Sequence, residues 1–385
     1  MFLLLGLLQT ILAARVFFRL SKTSQCRLVE TSDQPSSARI TILLPVLNEA
    51  TRIANCLESL IAQPDEVAEI LVIDGGSTDA TRAIAELYHL HDDRVQWIDA
   101  SPAESRWIGK AWNLNFGLAR SNPASQWILC IDADVRVSPK LSRSLISHAA
   151  RTGVSTFSVA TRQHLSGSSE ALIHPPLLTT LVYRFGQPGR AYRKIDQVQA
   201  NGQCFFSPRE TLLGAEAFAA ARSSLCEDIT IARRLVERGE AVGFYETYGL
   251  AEVSMYRDWR ETWINWPRSL PMRDQYFAWR QALGLLEVFF VQGLPLPMLI
   301  FAWNIGAPRF FFALNALLLA LRVGVLFGTA RAYDQRPWTY WLSPLCDFAA
   351  AVRLIQSALS RKHSWRGRSY VRTSAGMFQP KKLAK

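Results

Sequence analysis

The stretch Glu69–Thr81, EILVIDGGSTDAT, decides how the rest of the chain reads. Ile70–Ile73 is an unbroken apolar run of the length of a strand buried on both faces. It stops at Asp74 and falls into Gly75 and Gly76. Such an ending is either an ordinary turn or the rim of a nucleotide site, where glycines let the backbone approach a ligand closely. The neighbouring sequence separates the two. Strand-like runs recur at 40–44, 95–98, 127–131 and 154–159, and helical stretches at 50–62, 78–90 and 110–120 lie between them. Strands alternating with helices predict an α/β fold with a mainly parallel, doubly wound sheet. Ligands of such sheets bind beyond the carboxyl ends of the strands, where Asp74 and Asp132 both fall.

Three further acidic motifs point to the same edge. In WILCIDADV, Asp132 and Asp134 leave a buried strand one residue apart. Two carboxylates so placed repel unless a cation lies between them, and Mg²⁺ or Mn²⁺ holding a diphosphate would serve. In ITILLPVLNEA, Asn48 and Glu49 end the first strand, and the amides of the following turn can face a ligand. Asp74 can accept from a base N–H or a ribose hydroxyl. Asn48 and Ser77 are also good helix caps, so both roles stay open for them. In SLCEDITIARRLVERG, Glu227 and Asp228 open an amphipathic helix. Acids suit the helix dipole there, and a carboxylate in that place can also act as a general base toward an acceptor hydroxyl.

The chain has 385 residues and a formal charge of +11. Eight Lys or Arg and no acid lie in residues 361–385, beside apolar segments, which favours a cytoplasmic membrane face over nucleic acid. No nucleic-acid-binding motif accompanies the charge, so no nucleic-acid partner is expected. Six cysteines without metal-ligand spacing predict free thiols in a reducing compartment. Phe2–Phe18 reads as a membrane anchor followed by Arg19, Lys22 and Arg27, which places the next domain in the cytoplasm. Ser32–Ser37 reads as a polar linker. The runs 283–303 and 310–327 are expected to span a membrane. An intramembrane Arg322 costs about 2.5–3.5 kcal/mol on insertion scales, and pairing with Glu287 would offset part of it. The weaker run 340–359 is expected to be interfacial or re-entrant, because a further span would put the basic tail outside. Trp259, Trp263 and Trp266 fall on one helical face, either an interfacial anchor or an aromatic core face.

Together, ITILLPVLNEA, VIDGGSTDAT, GKAWNLNFGL, IDADV, NGQCFFSPRETLLG and CEDITIARRL resemble, in order, the motifs of family 2 glycosyltransferases of the GT-A fold, from about Ile40 to Gly239. The layout is similar to a membrane-bound subgroup that glycosylates ceramide, hopanoid-type lipids and carotenoids, and it resembles bacterial, notably cyanobacterial, carotenoid glycosyltransferases. The resemblance implies a GT-A catalytic domain over residues 38–255, an anchor over 1–20, a Trp-rich interfacial region over 256–280, membrane helices over 281–360 and a basic cytoplasmic tail over 361–385. It implies that Asp74 binds the nucleotide base. Pro45 and Glu49 would line the base and ribose pocket. Asp132 and Asp134 would hold the nucleotide sugar and its Mg²⁺ or Mn²⁺. Asp228 would be the catalytic base with Glu227 supporting it, and Gly202 and Gln203 would lie toward the acceptor.

The implied reaction is an inverting, non-processive transfer of a hexose from a UDP- or GDP-sugar to a hydroxyl of a membrane lipid, foremost a carotenoid. The enzyme would be multi-pass in the cell membrane, with its catalytic domain cytoplasmic. Many relatives carry Q/R-x-x-R-W after the base, whereas DWRETWINWPRSLPMRD (258–274) does not. Arg268 is the candidate substitute, and the missing string argues against a polymer synthase. The alternatives are transfer to a polyprenyl phosphate or to hopanoid, ceramide or diacylglycerol, and a non-catalytic nucleotide-sugar-binding protein. A nucleotide-dependent oxidoreductase is disfavoured, since no G-x-G-x-x-G follows the first strand.

Overall fold

The computed structural model describes residues 1–22, 28–104, 106–272, 277–365, 368–373 and 378–380. Much of the expected basic tail, together with Arg27 and the end of the 258–274 stretch, lies outside them. The chain divides into two compact units. One comprises residues 26–162, 188–253 and 368–385, and the other 1–25, 163–187 and 254–367. Residues 163–187, inside the expected 38–255 domain, therefore group with the apolar helices.

The first unit is built on an eight-stranded sheet: β1 (Ile40–Val46), β2 (Val67–Asp74), β3 (Val95–Asp99), β4 (Trp127–Ile131), β5 (Thr156–Ala160), β6 (Arg190–Tyr192), β7 (Cys204–Pro208) and β8 (Val242–Glu246), in the order β3-β2-β1-β4-β7-β5-β8-β6. β1 pairs in parallel with β2 and β4, β2 with β3, and β5 with β8. β7 runs antiparallel to β4 and β5, and β6 antiparallel to β8. The sheet is thus dominated by parallel pairs, as the alternating pattern predicts. All seven residues of β1 are buried, which is why its sequence is continuously apolar apart from Thr41. Val46 lies opposite Asp74, so the first two strands finish at one level.

The helix Gly109–Arg120 packs on this sheet through Gly117, where an added Cβ would stand 2.2 Å from Ile73 Cδ1. Asn113 on the same helix donates to the carbonyls of Ile73 (3.0 Å) and Val46 (3.3 Å). A buried amide thereby bridges carbonyls near the ends of two strands and fixes the helix at the ligand edge. The expected helices at 50–62 and 78–90 begin later, at Ile53 and Thr81. The residues before them are held in a laced loop. Ser77 Oγ accepts from the Asn48 amide, Asn48 Oδ1 from the Thr78 amide and Asp79 Oδ2 from the Ala50 amide. Asn48 takes φ of 55°, in the left-handed region, so the chain is not helical at that residue.

Among the described residues of the second unit, three helices are long and apolar enough to cross a membrane: Phe2–Lys22, Arg309–Gly328 and Trp338–Leu359. A fourth candidate, the expected span at 283–303, is a bent pair, Ala278–Gly293 and Pro295–Asn304, inclined at 51°. Pro295 and Pro297 lack the N–H groups that would continue the ladder, and a π-helical turn, Val288–Gly293, precedes them. The expected Glu287–Arg322 pair does not form. Glu287 is held by Arg15 (2.8 Å) and Arg19 (2.9 Å), and Arg322 pairs with Asp347 at 2.8 Å, both nearly inaccessible. Gln292 also donates to Asp347 (2.9 Å), so each buried charge finds a partner of its own. The three tryptophans do not share one exposed face. Trp259 is 40% exposed, whereas Trp266 is buried and tilts on His174 with ring centroids 4.1 Å apart. Among the described residues every cysteine is free, and Cys26 lies outside them.

Candidate active site

The acids cluster where the strands of the first unit end. Asp132 follows β4 directly, and its amide donates to the Gln203 carbonyl at 3.3 Å, across the antiparallel β4–β7 pair. Glu227 and Asp228 open the helix Glu227–Glu237, whose Ile229, Ile231, Ala232 and Leu235 are buried in the core. Burying that face leaves the two acids at the helix mouth. Between the two groups stands Lys110, the second residue of the helix Gly109–Arg120. Its Nζ lies 2.8 and 3.0 Å from the Asp132 oxygens and 2.6 Å from Glu227 Oε1. The side chains are 16%, 26% and 13% exposed, so water screens this triad little. Burial alone would favour neutral lysine, but the Asp132 and Glu227 carboxylates outweigh it and hold Lys110 charged.

Asp228 accepts from the Gly202 amide at 3.0 Å and from the Ile229 amide at 2.8 Å. Burial, and next the Glu227 carboxylate, push its pKa up to about 7, against the pull of Lys110 and the two amides. Gly202 is where three side chains converge. A Cβ there would stand 2.9 Å from Lys110 Nζ and 3.2 Å from both Asp228 Cβ and Glu227 Oε1. Lys110, Gly202, Glu227 and Asp228 line a small pocket with an apolar floor that includes Phe205, Phe218 and Ile231. Gln203 turns inward instead: its Oε1 accepts from Asn201 (2.9 Å) and Thr161, so its side chain braces the segment from within.

Asp134 has a buried Oδ1 with no hydrogen-bond partner among the described residues. Burial, then Asp132 and Glu49, raise its pKa to about 7, while Arg52 and Lys110 oppose. Glu49 is buried, 4.0 Å from Arg52. Asp74 is buried at the end of β2. Its Oδ1 accepts the amides of Gly76 (3.0 Å) and Ser77 (2.8 Å), and Trp97 Nε1 lies 3.4 Å from Oδ2. Asp74 thus shapes the glycine turn as well as facing the strand ends. Pro45 is buried in β1 opposite Ile73. Arg268 belongs to the apolar unit, in the turn Trp266–Arg268.

An orphaned carboxylate oxygen beside a second acid is a donor set that suits a hard divalent ion. Among the described residues no group of three or more His, Cys, Asp or Glu is placed to hold one, so two carboxylates would need further oxygens from a ligand. Lys110 and Arg52 were not singled out from the sequence. Lys110 stands in the quoted GKAWNLNFGL, three residues before the Asn113 staple, and that i, i+3 spacing is the signal for it.

Residues 41–213 match the family described as Glycosyl transferase family 2. The fold is of the GT-A type, and the matched segment supports a glycosyltransferase. Among curated relatives, the succinoglycan biosynthesis protein ExoA of Rhizobium meliloti (strain 1021) is 30% identical over 131 residues, 34% of this chain and 38% of that protein. The putative glycosyltransferase EpsH of Bacillus subtilis (strain 168) is 32% identical over 110 residues, 29% and 30%. The poly-beta-1,6-N-acetyl-D-glucosamine synthase of Staphylococcus aureus (strain COL) is 35% identical over 98 residues, 26% and 22%. The matched segment thus spans less than two fifths of each of these relatives. Among solved structures, the mannosyltransferase PcManGT from Pyrobaculum calidifontis, in complex with GDP-Man and Mn²⁺, superposes with a TM-score of 0.55. It covers 91% of this chain and 99% of that one at 17% identity, a likeness of fold.

Proposed function

We propose that the protein transfers a hexose from a UDP- or GDP-sugar to a hydroxyl of a membrane lipid in one inverting step, without polymerising, with a carotenoid as the foremost acceptor. The observation that carries the reading is Asp228. It is held by two backbone amides beside the Lys110–Asp132–Glu227 triad, with a pKa raised by burial into the range of a general base at neutral pH. In this reading Asp228 takes the proton of the acceptor hydroxyl. The oxygen then forms its bond to the anomeric carbon as the bond to the nucleoside diphosphate breaks and that group leaves with the electron pair. Asp132 and Asp134 would hold Mg²⁺ or Mn²⁺, which when bound supplies positive charge against the leaving diphosphate. Asp74, Pro45 and Glu49 would receive the base and ribose, Gly202 would face the acceptor, and Arg268 stays the candidate in place of the missing Q/R-x-x-R-W.

The lipid acceptor is supported by the apolar unit. Leu3, Leu4, Leu7 and Ile11 on the first helix, Leu317 and Phe327 on the helix Arg309–Gly328, and Trp303 are exposed, a surface suited to acyl chains rather than water. With Arg19 and Lys22 in the last turn of the first helix, the glycosyltransferase domain would lie on the cytoplasmic face of a multi-pass membrane protein. Mass spectrometry of the lipids and pigments of the host, with and without the gene, tests this. Loss of a glycosylated carotenoid with accumulation of its free alcohol is the expected result. Loss of a polyprenyl-linked sugar or another glycolipid moves the acceptor, and no change in any glycosylated lipid overturns the reading.

A further inference from the structure

We propose that Lys110 is a positioning residue that holds the place of the divalent ion in the donor-free enzyme, so that the ion binds together with the nucleoside diphosphate and not ahead of it. The inference rests on the assignment of Asp132 and Asp134 to the metal under the proposed function. Three observations carry it. First, Lys110 Nζ meets both oxygens of Asp132, at 2.8 and 3.0 Å, the edge that a metal would use. Second, with Asp132 engaged, Asp134 is the one carboxylate of the pair with a buried oxygen lacking a partner among the described residues, and they hold no ready-made cluster of metal ligands. A hard cation takes about six oxygens, so one free carboxylate is a poor site for a bare ion. Third, Lys110 has a second anchor in Glu227 Oε1, at 2.6 Å. It can release Asp132 and remain neutralised, next to the position where Gly202 leaves room for the ammonium.

Like charges also oppose each other here. A divalent ion arriving alone meets the Lys110 ammonium, whereas one arriving with a diphosphate brings compensating negative charge and additional oxygens. Lys110 thereby couples the two binding events, and such couplings are typically about 5–150-fold. A coupling of this kind keeps the acids from holding an ion when no donor is present.

The test uses the full-length chain purified in lipid nanodiscs, with Mn²⁺ binding followed by electron paramagnetic resonance, alone and with GDP or UDP. In the wild type, Mn²⁺ binds at least about fivefold tighter in the presence of one of the nucleotides than alone. In K110M that ratio falls toward one because Mn²⁺ alone binds more tightly, and K110R retains the wild-type ratio. K110Q, which keeps an N–H donor without the charge, replaces K110M if thermal melting shows that K110M does not fold. An unchanged ratio in the uncharged variant overturns the inference, as does wild type that binds Mn²⁺ alone as tightly as with either nucleotide. Wild type that binds neither Mn²⁺ nor a nucleotide removes the proposed function itself, a separate outcome.

Discussion

Gly202→Ala is the smallest perturbation that reaches the centre of the site. The new Cβ would lie 2.9 Å from Lys110 Nζ and 3.2 Å from Asp228 Cβ and Glu227 Oε1. Comfortable contacts begin at about 3.5 Å, so the lysine head and the two acids must withdraw by about 0.5 Å. The backbone imposes no further demand, because Gly202 is not among the residues with positive φ. The closest atom is the end of a flexible side chain, and Gly→Ala at a compatible position gains about 0.4–1 kcal/mol through the unfolded chain. The fold should therefore hold, with a stability change within about 1 kcal/mol. Catalysis should not, since misplacement of reacting groups by about 1 Å can reduce rates about a hundredfold. The expected result is a 10–100-fold lower kcat, as an order of magnitude on that basis, with a thermal midpoint within a few degrees of wild type. A radiolabelled transfer assay beside a melting curve reads both. Wild-type kcat in G202A would refute the placement of the reacting groups around Gly202, and a grossly unstable G202A would refute the packing argument.

Other outcomes follow from the same geometry. Asp228 works as a base only when ionised, and its pKa is raised to about 7, so kcat/KM should climb with pH through that value and level off above it. D228N should lower kcat by about 10²–10⁴ and abolish that limb, whereas a variant with full activity would point to a phosphate acceptor that needs no deprotonation. Asp74→Ala should weaken binding of the nucleoside diphosphate in calorimetry and also destabilise the fold by about 1–3 kcal/mol, because the Gly76 and Ser77 amides lose their acceptor. Asp74→Asn keeps an acceptor oxygen, so it should retain the turn while still weakening the nucleotide. Arg322→Leu should destabilise the apolar unit by about 3–5 kcal/mol, as for one-sided removal of a buried ion pair. A double-mutant cycle on melting midpoints should show coupling of Arg322 to Asp347 and none to Glu287.

How far the sequence could be read differs from element to element. The buried strands ending on Asp74 and Asp132 were legible, because two-sided burial forces an uninterrupted apolar run and the ligand edge forces an abrupt polar stop. Cys204–Pro208 is equally buried in a mainly parallel sheet, yet it runs antiparallel, and no local pattern encodes strand direction. The helix starting at Thr81 was placed three residues early, because Ser77 looks like a cap, whereas its oxygen accepts the amide of Asn48. Lys110 escaped notice for a related reason. A lysine in a first helical turn reads as a solvated charge, and only the fold shows that it faces acids 22 and 117 residues away along the chain. The Arg322 partner was misassigned because two apolar segments each carried an acid. The choice between Glu287 and Asp347 depends on which helices pack together, and Arg15 and Arg19 occupy the former.

The most direct test of the account is transfer itself. The purified chain in nanodiscs made with host lipids receives Mn²⁺ and either labelled UDP-glucose or labelled GDP-mannose, and the organic phase is counted and resolved by mass spectrometry. The account predicts label in a lipid-soluble product from one of the donors, lost in D228N while the nucleotide still binds. Label that stays in the aqueous phase with both donors, or a D228N variant as active as wild type, would contradict it.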